Sequence, residues 1–357
     1  MMQSFAFLIN LGITAVLAAV LLAIPMLSRR EFMFGITVPG DLHAAPEGRA
    51  ILHGYAIGIV ADAGFCMALV LATNLYLSGE LQVLGMVAAP LVLLCAAAGA
   101  YLRAHRQARP YAVATERRRE VDLGAAPRLL DILPRPLAWH VLPYLVLGAA
   151  ALWLGLHWQE IPAVYPDHVG LSGKVDGYGD KSPGSVFMPI AIGLVSMLLA
   201  HGVMIFGLMV RRLPDTLARA RLLNLALLQL MIVLACLFAW VSLIPLLGIA
   251  SFTGAIGLVV FLGCLVATVL LPGITLIRGL HRIRAEMPAG KGDRTADAAW
   301  KLGQLYFNRE DPSLFVEKRV GIGYTMNFAH PAAYVLVVGI VLLVVVILIG
   351  SMQSQHP

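Results

Sequence analysis

The chain has 357 residues, of which 59% are hydrophobic and 13% charged, with a formal net charge of +6. Too few polar side chains remain to cover a water-facing surface, so a water-solvated globule is excluded. A nucleic-acid partner is not expected either. Arginines such as Arg117, Arg118 and Arg119 fall in short segments between apolar runs, where anionic lipid is the ordinary counter-charge.

Apolar runs occur at 5–27, 54–77, 83–102, 137–157, 186–210, 222–247, 255–277 and 332–350. Crossing about 30 Å of hydrocarbon takes roughly 20 residues of helix. The expected fold class is all-α: a polytopic helical membrane protein with about eight transmembrane helices. Lipid offers the backbone no hydrogen bonds, so each span must satisfy its own, and a β-barrel would show alternating ten-residue strands instead. The first run reads as a retained helix rather than a secretion signal, because nothing positive precedes it, it is long, and Arg29-Arg30 follow it. Basic residues then orient the bundle. Of the 26 Lys and Arg, 24 fall in 28–50, 103–135, 211–221 and 278–319, while 158–185 holds only Lys174 and Lys181. Basic loops stay cytoplasmic, which places both termini and the 158–185 connection outside.

In chain order, residues 1–136 form an N-terminal three-helix region with basic cytoplasmic loops. Within it, the prolines at 110, 127, 134 and 136 predict short interfacial helices and turns over 103–136. Residues 137–277 form a four-helix region that carries the 158–185 connection, 278–330 a cytoplasmic segment, and 331–357 a last helix with a short outer tail. In the cytoplasmic segment, Asp297 to Leu305 reads as a short helix, with Pro288, Gly290 and Gly292 as its entry and Asp311-Pro312 as its stop. Leu314-Phe315-Val316, followed by Glu317-Lys318-Arg319, reads as a segment lying at the membrane surface. The stretch from Arg29 to Pro39 is loosely similar. Cys66, Cys95, Cys236 and Cys264 all fall inside apolar runs without the paired spacing of a metal or redox motif.

A charge at bilayer depth is costly, which singles out Asp62. It shares a helical face with Tyr55, Gly58, Cys66, Leu69 and Thr73, a mostly small or polar stripe suited to the bundle interior. His201 lies ten residues before Arg211, and Asp62 thirteen after Arg49, about 15 and 20 Å deep at 1.5 Å per residue. The depths permit a contact. Asp62 and His201 are candidates for a proton relay or ligand-charge partnership; the alternative is a hydrogen-bonded acid that fastens two helices.

The 158–185 connection holds the most specific pattern. Pro166, His168, Gly173 and Asp176 follow P-x-H-x4-G-x2-D. One reading has His168 with Asp167, Asp176 and Asp180 bind a cation or sense pH; the other has Pro and Gly set turns while His168 bonds a backbone carbonyl. The acids lack metal-ligand spacing, so no metal is expected. This pattern resembles the bacterial membrane family known as domain of unknown function 1648, which includes the immunity protein against the sporulation-delaying toxin. A second set, Trp300, Tyr306, Asn308, Asp311, Arg319, Gly323 and Asn327 among neighbouring motif positions, resembles domain of unknown function 5808.

The resemblance implies a bacterial cytoplasmic membrane protein without catalytic residues or cofactor. It implies a receptor or immunity role, with an extracytoplasmic peptide as outer partner and a cytoplasmic regulator as inner one. The chain departs from the immunity protein by carrying the 278–330 segment. No H-E-x-x-H, Walker loop or G-x-S-x-G is present, and Asn308 to Asp311 is too short for an EF-hand loop. Two alternatives stay open: a secondary transporter or proton-coupled channel using Asp62 and His201, and a membrane-embedded enzyme acting on lipid or peptide with His168 or His201 as acid or base.

Overall fold

A computed structural model describes residues 2–113, 129–169, 175–210, 214–248, 255–286, 295–321, 323–339 and 342. The long helices are α1 (Met2–Leu27), α2 (Pro46–Tyr76), α3 (Gly79–Ala108), α6 (Pro183–Val210), α7 (Pro214–Ser242) and α9 (Ala255–Glu286). Between them lie α4 (Leu129–Ile132), α5 (Leu142–Leu156) and α8 (Ile244–Leu247). Among the described residues, six helices are long and apolar enough to cross a membrane. α5 is apolar but has 15 residues, about 22 Å, because residues before Pro143 wind as a separate 3-10 turn over Leu137–His140. Most of the expected 332–350 span lies outside the described residues, with 331–339 helical.

The helices carry their apolar side chains outward. Ile57, Phe65, Leu84, Leu152, Leu199 and Ile256 are each more than half exposed, whereas α3 turns inward a stripe of Ala89, Leu93, Ala97, Ala100 and Ala104. Small inward and large apolar outward is the pattern that packs helices closely and offers lipid the rest. The protein is a multi-pass helical membrane protein in contact with the bilayer.

The chain divides into two compact units. The first comprises Met1–Ala23, Tyr55–Ala100 and Val121–Pro288. Here α7 packs against α5, α6 and α9, around Leu147, Met197, Met204, Leu228, Met231 and Ala235. Asn224 on α7 donates to the Ile132 carbonyl at 3.0 Å, tying α4 to the bundle. Between α5 and α6 the connection folds as an antiparallel hairpin of β3 (Val164–Val169) and β4 (Val175–Asp180). It sits on its own core of Leu154, Ile161, Tyr165 and Val186.

The second unit comprises Ile24–Gly54, Tyr101–Glu120 and Ala289–Pro357. Among the described residues it is built on three short antiparallel hairpins: β1 (Phe32–Met33) with β2 (Ile36–Thr37), β5 (Trp300–Lys301) with β6 (Leu305–Tyr306), and β7 (Phe315–Glu317) with β8 (Tyr324–Met326). The helix expected from Asp297 to Leu305 is therefore corrected. Only Asp297–Ala299 forms a single 3-10 turn, and the chain then reverses through Leu302 and Gly303 at φ +53° and +72°. Two successive left-handed residues end a right-handed helix and match the twist of a hairpin. The β1–β2 turn repeats the device, with Phe34 and Gly35 at φ +48° and +82°.

The two turns meet backbone to backbone. A Cβ on Gly35 would fall 2.4 Å from the Gly303 Cα, and one on Gly303 2.7 Å from the Gly35 Cα. Tyr101 presents its hydroxyl to both turns, 3.0 Å from the Phe34 carbonyl and 2.9 Å from that of Leu302. His105 adds a ring nitrogen 2.8 Å from the Phe34 carbonyl.

Candidate functional site

The hairpin between α5 and α6 places the first motif. Ser182 caps α6, accepting from the Ser185 amide at 3.2 Å, while its own amide donates to the Ser185 hydroxyl at 3.3 Å. This reciprocal pair fixes where the hairpin ends and the helix begins. Below the strands Trp158 stacks on Phe187 at 6.2 Å, with the Lys181 ammonium 5.4 Å above the Trp158 ring. Pro166 stands opposite Tyr178 and His168 opposite Gly177, with irregular register on both sides of His168. Such a bulge re-aims a side chain relative to a regular strand. Tyr165 is buried, while Val164 and Tyr178 are exposed. Each strand pairs only with the other among the described residues. Gly173 and the side chains of His168 and Asp176 lie outside the described residues.

His201 sits on α6, and its ring joins a chain of polar groups. Its Nε2 is 3.1 Å from His140 Nδ1, and its Nδ1 is 2.9 Å from the Tyr144 hydroxyl. His140 Nε2 lies 3.1 Å from the Pro134 carbonyl. Asp62 is not part of this chain: no hydrogen bond or ion pair joins it to His201 among the described residues, and its buried Oδ2 accepts no hydrogen bond there. His140 and Tyr144 went unnoticed in the sequence, although H-x3-Y at the head of an apolar run puts both rings on one helical face.

The C-terminal motif residues converge in the second unit. Arg319, 1% exposed, lies between the rings of Phe32 and Trp300, its guanidinium carbon 4.7 and 4.9 Å from their centroids. It donates to Asp297 Oδ1 at 2.6 Å, to the Gly35 carbonyl at 3.3 Å and to the Thr295 carbonyl. Asp297 also accepts from the Thr37 hydroxyl at 2.6 Å. Nearby, buried Arg29 pairs with Glu317, and the Gly321 amide donates to Ser28 at 2.8 Å. Residues 28–37 are thus stitched to 295–321 by side chains on both strips. Arginine suits this position because its flat cation stacks on rings while its fork bonds in the plane.

A second knot adjoins it. Asn327, 1% exposed, accepts from the amides of Asn308 and Ala329 at 3.0 and 3.1 Å and donates to the carbonyls of Asn308 and Asp311 at 2.7 and 2.9 Å. That satisfies both ends of its amide. Tyr306, fully buried, donates to Asp311 Oδ2 at 3.1 Å and accepts from Asn308 Nδ2 at 3.0 Å. Gly323 supplies φ +110° in the β7–β8 turn, closed by Lys318 donating to the Gly323 carbonyl at 2.9 Å. The polar groups of this motif bond one another, an arrangement that specifies a shape.

Comparison with known proteins agrees with these two regions. Neither the curated proteins nor the solved structures gave a match to the chain. Residues 145–193, which run from α5 through the hairpin into α6, match the family described as Domain of unknown function (DUF1648), and residues 309–334, which hold Asp311, β7, Arg319, β8 and Asn327 but not Trp300, Tyr306 or Asn308, match the Family of unknown function (DUF5808).

Proposed function

We propose that the protein is a non-enzymatic receptor of the bacterial cytoplasmic membrane, of the immunity or signal-sensing kind, and that the 158–185 connection meets an extracytoplasmic peptide. The observation that carries this reading is the β3–β4 hairpin. It stands on a small core of its own, keeps Val164 and Tyr178 exposed, and pairs with no third strand among the described residues. An extended peptide can add to such an edge, drawing affinity from main-chain hydrogen bonds and specificity from alternate side chains. The charge rule faces this hairpin outward. The stitched second unit, on the basic side, is the surface offered to a cytoplasmic regulator.

The test is growth of a sensitive bacterium under secreted antimicrobial peptides, with wild type, Tyr178→Ala, His168→Ala and Asp62→Asn at matched membrane abundance. Protection by wild type and Asp62→Asn, lost in the two hairpin variants, supports peptide recognition. A well-expressed wild type that protects against no peptide in the panel sinks the reading. A proton-coupled transporter or channel is the second reading, favoured by the buried, unbonded Oδ2 of Asp62 in α2; it requires Asp62→Asn to abolish transport.

A further inference from the structure

The chain Tyr144, His201, His140 and the Pro134 carbonyl has a direction fixed by its ends. A carbonyl only accepts, so His140 Nε2, 3.1 Å from the Pro134 oxygen, carries hydrogen. In a neutral imidazole the other nitrogen is then a bare acceptor. His201 Nε2, 3.1 Å away, must therefore carry the hydrogen of that contact. This leaves His201 Nδ1 bare, to accept from the Tyr144 hydroxyl at 2.9 Å. Every bond in the neutral chain runs the same way, from Tyr144 to Pro134.

One added proton changes little. It enters at the Tyr144 oxygen as the hydroxyl passes its own proton to His201 Nδ1, so the tyrosine stays neutral and His201 becomes the cation. The new Nδ1–H has two acceptors at hand, the Tyr144 oxygen at 2.9 Å and the Met197 carbonyl at 3.3 Å. The Nε2 proton can then cross to the bare His140 Nδ1, 3.1 Å away, so either ring can carry the charge. A second proton has no place, because the two facing nitrogens would both carry hydrogen. Tyr144 packs against a cluster of Leu147, Met197, Met204 and Leu228 from α5, α6 and α7. Asn224 of α7 donates to the Ile132 carbonyl of α4, and the Asp131 side chain of α4 lies outside the described residues.

We propose that His140, His201 and Tyr144 form a binding site for one proton that joins the start of α5 to α6 and fills without losing a hydrogen bond. The site uses residues apart from the hairpin and stands independently of peptide recognition. Full-length protein labelled with 15N-histidine in lipid nanodiscs, followed by NMR through a pH titration, tests it. His140→Gln and His201→Gln assign the signals. The expected result is coupling across the His201 Nε2 to His140 Nδ1 hydrogen bond in both the neutral and the acid form, with one imidazolium per pair. Tyr144→Phe is expected to slow proton exchange at His201 and to leave that coupling intact. Two imidazolium rings appearing together over the same pH range would overturn the proposal, as would absence of the coupling in well-folded wild type.

Discussion

Arg319 donates to Asp297 at 2.6 Å from a side chain that is wholly shielded, whereas the Asp297 side chain is 28% exposed. The two ends of this ion pair are thus unequal. Removing the acid leaves a cation buried between Phe32 and Trp300, while removing the arginine leaves an acid that water and Thr37 still reach. Breaking a buried pair from one side costs about 3–5 kcal/mol. Asp297→Ala is expected to fall in that range, and Arg319→Met, whose unbranched apolar chain fits between the two rings, to cost less. Unfolding free energies in mixed micelles decide it. An Arg319→Met that is the more damaging of the two would show that the fork's bonds to Thr295 and Gly35, not the charge, govern the site.

Gly35 and Gly303 give a sharper test, since both combine a left-handed backbone with contact too close for any side chain. The conformation alone costs a non-glycine residue about 1–3 kcal/mol, and the overlap adds to it. Gly35→Ala and Gly303→Ala should each lower the amount of folded protein recovered from membranes, with the double variant little worse than either single, because the first already separates the turns. Additive losses would mean that the turns do not depend on each other. Gly321→Ala, also at positive φ but with open space around its Cβ, is the control and should carry the conformational cost alone.

How much of this was legible follows from what each feature depends on. The long spans α1, α2, α3, α6, α7 and α9 were readable, because lipid leaves a backbone no choice and twenty apolar residues announce themselves. Depth in the span singled out His201, but the groups bonded to it are His140 and Tyr144 rather than the expected Asp62. The partners came from a 3-10 turn and the first turn of α5, which hydropathy had merged into a single span. Arg319 was singled out by its motif, but its partners Asp297 and Gly35 were opaque for another reason. Their pairing runs over 22 and 284 positions, and no local period encodes it. The misread helix at Asp297 to Leu305 failed on Leu302, an apolar residue held left-handed by a contact its neighbours in sequence do not reveal.

Asn327 uses both its acceptor and its donors, so two different substitutions probe it separately. Asn327→Ala leaves the Asn308 and Asp311 carbonyls and two amides without partners, at about 1–3 kcal/mol for each group that stays dry. Asn327→Asp keeps the acceptor but turns a carboxylate oxygen toward the carbonyls that now accept from Nδ2. Both should destabilise the second unit, and Asp no less than Ala. Limited proteolysis of the 295–330 stretch in membranes reads this out; an Asp variant as resistant as wild type would show that the donor half of the amide is dispensable.

Tyr165 and Tyr178 lie on opposite strands of one hairpin and separate folding from recognition. Tyr165 is 3% exposed in the core with Leu154, Ile161 and Val186, whereas Tyr178 is 66% exposed. Truncating a buried aromatic residue costs about 3–5 kcal/mol, so Tyr165→Ala should loosen the hairpin and speed amide exchange along β3 and β4. Tyr178→Ala removes a ring that packs on little, and its effect on stability should stay within about 0.5 kcal/mol. If the hairpin is the recognition element, Tyr178→Ala loses peptide protection while exchange stays at wild-type rates. A Tyr178→Ala variant that keeps full protection, beside a Tyr165→Ala variant that also keeps it despite fast exchange, would remove the hairpin from the mechanism and leave α2, with Asp62, as the part of the protein to pursue.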